Sequence, residues 1–131
     1  MLEAFRHIVQ SAGYSMAGLA FLLRSEIAAR IEASVIVLAF LGFLAMGRSL
    51  VEFLILLVLA CVLLAVESLN TAVEVLVDRI SPEYSQFGKI AKDLGSAAVF
   101  LTLTAGGLFI LGVVADYFDL ITLWVPPSEW Q

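Results

Sequence analysis

Residues 50–77, LVEFLILLVLACVLLAVESLNTAVEVLV, decide the fold, because a long apolar run there passes directly into regularly spaced polar side chains. The part from 53 to 66 contains no charged residue. A helix needs about 20 predominantly apolar residues to cross a hydrocarbon core of ~30 Å. The stretch therefore predicts a transmembrane helix, and the uncharged runs at 33–47 and 94–115 predict two more.

The composition of the whole chain, residues 1–131, supports a membrane protein with a single domain. Of its 131 residues, 62% are hydrophobic and 15% are charged, whereas a soluble domain has about 45–50% apolar and ~25% charged residues. The formal net charge of -5 excludes a general nucleic-acid-binding protein. The single cysteine, Cys61, excludes a disulfide framework and a cysteine-based zinc site.

Both ends of the chain are predicted to lie at the membrane surface. Residues 1–32 carry apolar side chains at three- and four-residue spacings, with basic residues on other faces, which predicts an amphipathic interfacial helix. An ordinary cytosolic helix is the alternative, and a signal peptide is excluded because the segment lacks an apolar h-region and a cleavage site. Residues 116–131 form an acidic tail, in which Trp124 and Trp130 are expected to be interfacial anchors rather than part of a fourth span.

The basic residues predict how the three spans are oriented, because arginine and lysine are enriched on the cytoplasmic side of short membrane loops. Only Arg48 lies between the first two spans. The other basic residues lie in the N-terminal segment or in the loop after the second span, and they are Arg6, Arg24, Arg30, Arg79, Lys89 and Lys92. The sequence therefore predicts a multi-pass protein of the inner (cytoplasmic) membrane with a cytoplasmic N-terminus and a periplasmic C-terminus.

The second half of the second span carries an unusual set of polar side chains. Glu67, Asn70, Glu74 and Asp78 are spaced by three, four and four residues. On a helix that turns about 100° per residue they fall within a stripe of ~80°. A carboxylate inside a bilayer costs at least ~2.5–3.5 kcal/mol, so these acids predict a functional site. The alternatives are a polar stripe that fixes helix packing, a proton relay, or a non-catalytic scaffold.

Neighbouring residues indicate what this stripe binds. Lys92 and Asp93 are predicted to open the third span, where a lysine and free backbone N–H groups at a helix start attract an anion. The small residues 95–98 that follow allow another helix to approach closely. Glu26 is expected near the same membrane face, and several carboxylates beside an anion site suit Mg²⁺ with a nucleotide phosphate. The chain contains neither a P-loop motif nor the kinase H-R-D set, so it would bind ATP without a standard nucleotide fold.

Three motifs lie in this part of the chain: Glu67-Ser68-Leu69-Asn70-Thr71-Ala72-Val73-Glu74, Val77-Asp78-Arg79-Ile80 and Ala91-Lys92-Asp93-Leu94-Gly95-Ser96-Ala97-Ala98. Together with Glu83-Tyr84 and Ala12-Gly13-Tyr14-Ser15, they closely resemble the prokaryotic diacylglycerol kinase family, over about residues 5–118. The resemblance implies an all-α integral membrane protein with an N-terminal amphipathic interfacial helix and three transmembrane helices, assembled as a homotrimer. It also implies an enzyme that phosphorylates a lipid hydroxyl with MgATP.

The resemblance implies a role for each polar residue of the stripe and its surroundings. Glu67 matches the general base that takes the proton from the lipid hydroxyl, and Glu67 and Ser96 match the lipid-substrate side. Glu26 and Glu74 match the ligands of Mg²⁺. The residues that match the ATP site are His7, Tyr14, Glu26, Asn70, Glu74, Asp78, Glu83, Tyr84, Ser85, Lys92 and Asp93.

Two lipid substrates are compatible with the resemblance, because undecaprenol kinases share the same acids and fold. Asp78-Arg79-Ile80 and Lys92-Asp93-x-Gly95-Ser96 look more like the diacylglycerol branch. The expected reaction is therefore the conversion of diacylglycerol to phosphatidic acid at the cytoplasmic face, with a polyprenol as the alternative substrate. A homotrimer is also expected on physical grounds, because three spans cannot shield so many acids from lipid without neighbouring subunits.

Overall fold

The apolar runs of the sequence fold into helices. The structure, a computed structural model, describes residues 1–123, with the side chain of Ala4 excepted. Four helices follow one another, and no strand is found in this part of the chain: α1 (Leu2–Ser25), α2 (Ile27–Ala45), α3 (Leu50–Ile80) and α4 (Gln86–Tyr117). The predicted all-α fold class is confirmed, whereas Trp124 and Trp130 lie outside the described residues.

Helices α2, α3 and α4 are each long and apolar enough to cross a membrane, as hydropathy predicted. Their shared core is small and is centred on Phe43, Leu56 and Val113. Most of their other large apolar side chains are exposed in the single chain, for example Leu38 and Leu108. Apolar surface on this scale is covered by lipid or by other subunits in a stable protein.

The boundary between the N-terminal segment and the first span lies at Glu26, earlier than the predicted end of the 1–32 segment. Glu26 has extended backbone angles (φ -102°, ψ 123°) and separates α1 from α2. Arg30 stabilises this break, because its Nη1 donates to the carbonyl oxygen of Arg24 over 3.0 Å and so satisfies a C-terminal carbonyl of α1. Residues 27–32 therefore belong to the helix of the first span.

The last helix begins at Gln86, eight residues before the predicted span at 94–115. Ser85 caps it, since its hydroxyl accepts the N–H of Gly88 over 3.1 Å. An ion pair of 2.5 Å between Lys89 and Asp93, one turn apart, adds support to this first part of the helix. Lys92 consequently lies inside α4, and the prediction that it stands beside free backbone N–H groups at a helix start is wrong.

Short connections make consecutive helices of the bundle antiparallel. Residues 46–49 join α2 to α3, residues 81–85 join α3 to α4, and α3 and α4 form the most extensive helix pair. The start of α2, the end of α3 and the start of α4 therefore lie together, and we call this the acid end (residues 26–32 and 67–96). The opposite end of the bundle is called the Arg48 end (residues 45–52 and 113–123).

Candidate active site

The predicted catalytic acid lies in the interior of the bundle. Glu67 belongs to α3, and only 4% of its surface is exposed. None of the ion pairs found among residues 1–123 includes Glu67. A buried carboxylate without a cation is costly, and such groups in membrane helices mark functional sites. Glu67 is therefore the candidate reactive group of the acid end.

Asn70 holds the side chain of Glu74 one turn further along α3. Its Nδ2 donates to Glu74 Oε1 over 3.0 Å, whereas its Oδ1 is buried and has no hydrogen-bond partner within the described residues. Gly95 of α4 lies directly against this oxygen, because a Cβ atom added at Gly95 would overlap Asn70 Oδ1. The glycine therefore allows α4 to approach α3 at the level of the polar stripe, as expected for Gly95, whereas residues 96–98 are exposed in the single chain.

Four carboxylates gather where α2 begins and α3 carries its polar stripe, and we call them the acid cluster: Glu26, Glu32, Glu67 and Glu74. Glu26 and Glu74 lie near enough to Glu67 for their charges to repel its charge, and Glu67 and Glu32 interact in the same way. Glu32 is 7% exposed, and its Oε2 has no hydrogen-bond partner in the described part of the chain. Because like charges repel most strongly away from water, the cluster is suited to bind a cation.

The acid cluster is not a complete metal site by itself. Within residues 1–123, no group of three or more His, Cys, Asp or Glu side chains is arranged to hold a metal ion. Mg²⁺ is commonly bound by one or two protein carboxylates together with phosphate oxygens and water. Glu26 and Glu74, the predicted ligands, therefore suit an ion that binds together with a nucleotide.

A polar cleft of about 320 Å³ opens where α3 ends and α4 begins. Lys92 Nζ lies 2.5 Å from Asp78 Oδ1, and their side chains are 39% and 66% exposed. An exposed ion pair stabilises a protein by only ~0–1 kcal/mol, so Lys92 can exchange this carboxylate for a phosphate at small cost. The cleft is lined by Val77, Asp78, Ser81, Pro82, Glu83, Tyr84, Ser85, Gly88, Lys89, Lys92 and Asp93.

The structure brings most, though not all, of the predicted ATP-site residues together. Those at positions 78, 83–85, 92 and 93 line the polar cleft, and Glu26, Asn70 and Glu74 lie at or beside the acid cluster. His7 and Tyr14 lie on exposed parts of α1, and no hydrogen bond in the described range joins them to the other site residues. Ser96 is exposed on α4 beside Gly95.

An apolar cavity of about 380 Å³ lies among α2, α3 and α4. Glu32 is the one charged side chain among the described residues that line it: Ala28, Ile31, Glu32, Val35, Ile36, Leu56, Leu59, Ala60, Leu63, Thr102, Leu103, Gly106, Gly107 and Ile110. Along α3, Glu67 lies one turn after Leu63 of this cavity and before Val77 of the polar cleft. Glu67 therefore stands between an apolar and a polar compartment.

Sequence reasoning missed the burial of Glu32. The signal was present, because Ala28, Ile31 and Val35 surround Glu32 on one face of a helix. The misplaced helix boundary hid this pattern. With α2 beginning at Ile27, the same spacing places Glu32 among apolar side chains.

Comparisons with known proteins agree with the geometry of the site. The family model for prokaryotic diacylglycerol kinase matches residues 13–114, a range that contains the acid cluster and the polar cleft but not His7. A diacylglycerol kinase from a Sinorhizobium species is 38% identical over 109 residues, which cover 83% of this chain and 79% of the relative.

Two further relatives give the same result. A diacylglycerol kinase from Pseudomonas aeruginosa is 39% identical over 104 residues, covering 76% of this chain and 80% of the relative. One from Haemophilus influenzae is 32% identical over 108 residues, covering 82% of this chain and 92% of the relative. The family match and these identities extend over most of the chain, so the protein belongs to the prokaryotic diacylglycerol kinase family.

Proposed function

We propose that this protein phosphorylates diacylglycerol, with ATP as the phosphoryl donor, to form phosphatidic acid at the cytoplasmic face of the inner membrane. The observation that carries the proposal is the position of Glu67, a buried carboxylate between the apolar cavity and the polar cleft. A lipid hydroxyl must reach the reacting centre from an apolar compartment, and a nucleotide phosphate must reach it from a polar one. The family and the activity named for its relatives support the same reaction.

Glu67 acts as the general base of this reaction. Its carboxylate accepts the proton of the lipid hydroxyl while the hydroxyl oxygen bonds to the γ-phosphorus and the bond from that phosphorus to the ADP oxygen breaks. Burial keeps Glu67 away from bulk water, and the apolar cavity that begins one turn away admits an acyl chain beside it. Ser96 is assigned to the lipid side by the family resemblance.

Glu26 and Glu74 would hold Mg²⁺ together with the phosphates of ATP. Two carboxylates that already repel a third suit a divalent cation, and such an ion offsets the negative charge of the β- and γ-phosphates. Asn70 orients Glu74 by donating a hydrogen bond to its Oε1. Asn70 therefore positions the carboxylate that would bind the metal.

The polar cleft holds the nucleotide. Lys92 exchanges Asp78 for a phosphate oxygen, and Glu83, Tyr84 and Ser85 contact the remainder of ATP. His7 and Tyr14 of α1 are assigned to the same site by the family resemblance. The placement of these groups at the acid end agrees with a cytoplasmic orientation, since most basic residues also lie in α1 and at this end.

A homotrimer is the proposed assembly, because the family resemblance implies it and the exposed apolar helix faces need cover that one chain does not provide. Cross-linking and light scattering of the protein in mild detergent should both report three subunits. A fully active monomer would contradict this assembly.

The reaction is tested by offering the purified protein MgATP with diacylglycerol and undecaprenol in parallel micelles. We expect phosphatidic acid as the main product and no activity in excess chelator. Faster formation of undecaprenyl phosphate would identify the alternative substrate, and full activity in excess chelator would exclude the role of Mg²⁺. Proton translocation without lipid phosphorylation would instead support a relay.

A further inference from the structure

The connection between α3 and α4 contains a bridge between two serine hydroxyls. Ser81 directly follows the last residue of α3, and Ser85 directly precedes the first residue of α4. Ser81 Oγ lies 2.7 Å from Ser85 Oγ and 3.2 Å from the carbonyl oxygen of Glu83. Ser85 Oγ also accepts the N–H of Gly88 over 3.1 Å. The caps of both helices and the middle of the loop therefore share one hydrogen-bond network.

The packing around Gly88 shows that this network occupies a tight site. Gly88 is buried, and a Cβ atom added to it would lie 3.0 Å from both Ser85 Oγ and Val77 Cγ1. The first turn of α4 thus lies against the last turns of α3, with the Ser85 hydroxyl between them. Ser85 cannot move away without losing its hydrogen bonds to both Ser81 and Gly88, so the bridge restrains the loop from both sides.

The restrained residues are those that line the polar cleft. Glu83, Tyr84 and Ser85 form its wall together with Lys92, and Ser81 itself contributes to the lining. Ser85 Oγ is already hydrogen-bonded to the N–H of Gly88, as the cap of α4, and to Ser81 Oγ. The Ser85 hydroxyl therefore stabilises the loop, in addition to any contact that it makes with a bound molecule.

We infer that Ser81 is a positioning residue for the nucleotide, an assignment that rests on the proposed kinase function. Through Ser85 Oγ and the Glu83 carbonyl, its hydroxyl holds residues 83–85 in the arrangement that lines the cleft. A loop released from this bridge has more conformations in the free protein, and ATP must restrict them on binding. Ser81 lies in the connection after α3, whereas Glu67 lies within α3. Loss of the Ser81 hydroxyl therefore lowers nucleotide affinity and does not affect the chemical step.

The test compares Ser81→Ala with Ser81→Thr, which keeps the hydroxyl, in the full-length protein with diacylglycerol micelles. Ser81→Ala removes the contacts to Ser85 Oγ and to the Glu83 carbonyl and should raise the KM for ATP about threefold to tenfold. The kcat and the KM for diacylglycerol should stay within about twofold of the native values. Ser81→Thr should restore the native KM. Ser34→Ala is the matched control, because it removes an exposed serine hydroxyl that bonds the Arg30 carbonyl in α2.

An unchanged KM for ATP in Ser81→Ala would overturn the inference, and so would an equal rise in Ser81→Thr. A parallel loss of kcat and of affinity for diacylglycerol would show a general structural defect, which also overturns it. Hydrogen exchange gives a readout that does not depend on activity: the amides of residues 82–88 should exchange faster in Ser81→Ala than in the native protein.

Equilibrium binding of MgATP separates this inference from the proposed function. If the native protein binds ATP but phosphorylates no diacylglycerol, the proposed reaction is wrong, and weaker ATP binding by Ser81→Ala still supports the bridge. If Ser81→Ala binds ATP as tightly as the native protein, the bridge does not position the nucleotide. If the native protein binds no ATP, both proposals are wrong.

Discussion

The two ends of the bundle differ in whether their buried or partly buried carboxylates form ion pairs. At the Arg48 end, Arg48 Nη2 lies 2.5 Å from both Glu52 Oε1 and Asp116 Oδ2, and the three side chains are between 16% and 19% exposed. Glu52 also completes a capping box with Ser49 at the start of α3. This end therefore neutralises its partly buried carboxylates within the chain.

The acid end also contains acidic and basic side chains, but they are paired differently. Two of its four cations, Lys89 and Lys92, pair with exposed carboxylates in the cleft region. Glu32 and Glu67 are buried and take part in no ion pair within residues 1–123. Carboxyl groups in this state are neutralised either by a bound cation or by taking up a proton. The comparison thus separates charges that stabilise the fold from charges that we propose to take part in binding the nucleotide and Mg²⁺.

The largest effect on activity is expected from Glu67→Gln, which keeps the size of the side chain and removes the base. Turnover should fall by ~10²–10⁴-fold, the usual contribution of general-base catalysis. Affinity for ATP should change little, because Glu67 does not line the polar cleft. Steady-state kinetics with varied ATP and varied diacylglycerol measure both quantities. Near-normal turnover would show that Glu67 is not the base, and it would favour transfer of the hydroxyl proton to the substrate phosphate.

The next largest effect is expected from Glu74→Gln, which removes a ligand of Mg²⁺. The value of kcat/KM for ATP at low Mg²⁺ should fall by about 10²-fold, the upper end of losses caused by disturbing the surroundings of a bound metal. Additional Mg²⁺ should restore part of the activity, which is measured by titrating Mg²⁺ at fixed ATP.

Glu67→Gln is the control for this second prediction. Its loss should not respond to added Mg²⁺, since Glu67 is not assigned as a metal ligand. If both variants responded identically to added Mg²⁺, Glu67 and Glu74 would not have the separate roles of base and metal ligand.

A smaller effect on activity is expected from Gly95→Ala, which places a methyl group against Asn70 Oδ1. Asn70 must turn away, and its hydrogen bond to Glu74 is lost. A hydrogen bond to a charged group contributes ~1.5–3 kcal/mol, so activity at low Mg²⁺ should fall by about tenfold or more. Gly42→Ala is the control, because no atom lies within 4 Å of a Cβ atom added there. Equal activities of the two variants would show that the contact between Gly95 and Asn70 has no part in catalysis.

The smallest effect on activity and the largest on stability are expected from Arg48→Met. The change leaves Glu52 and Asp116 without their shared cation and should lower the free energy of unfolding by ~1.5–3 kcal/mol. The kcat at low temperature should stay within about twofold of the native value, because the Arg48 end holds none of the proposed site residues. Unfolding in mixed micelles of increasing denaturing detergent measures the stability.

Lys89→Met is the matched control for stability, because it breaks an ion pair that is 52% and 61% exposed. Its cost should be below ~1 kcal/mol. If Arg48→Met were as stable as Lys89→Met, the partly buried pairs of the Arg48 end would not stabilise the bundle as proposed.

Much of the fold could be predicted from hydropathy, because uncharged runs of sufficient length leave few alternatives in a membrane. The ends of the helices could not be placed in this way. No proline or glycine marks the break at Glu26, which depends instead on a carbonyl bond from Arg30. The sequence places Lys89 in a loop and Lys92 with Asp93 at the start of the third span, whereas the Ser85 cap and the ion pair between Lys89 and Asp93 extend the helix back to Gln86.

The polar stripe of α3 could be predicted because helical spacing alone places Glu67, Asn70 and Glu74 on one face. Contacts between helices could not be predicted in such detail. The position of Gly95 against Asn70 and the bridge from Ser81 to Ser85 depend on how α3 and α4 meet, which spacing within one helix does not determine. The resemblance to a known family implies roles for His7 and Tyr14, and among the hydrogen bonds of residues 1–123 none joins them to the other site residues.

The central claim, that the acid end carries unneutralised charge for function while the Arg48 end carries paired charge for stability, is tested most directly by the unfolding midpoint of Glu67→Gln. Replacing a buried carboxylate that is repelled by Glu26 and Glu74 with a neutral side chain of the same size removes both the repulsion and the cost of burying a charge. We therefore predict that Glu67→Gln unfolds at the same temperature as the native protein or higher, while the same sample forms almost no phosphatidic acid. A lower unfolding temperature together with lost assembly would contradict the claim, because Glu67 would then be a packing residue of the bundle.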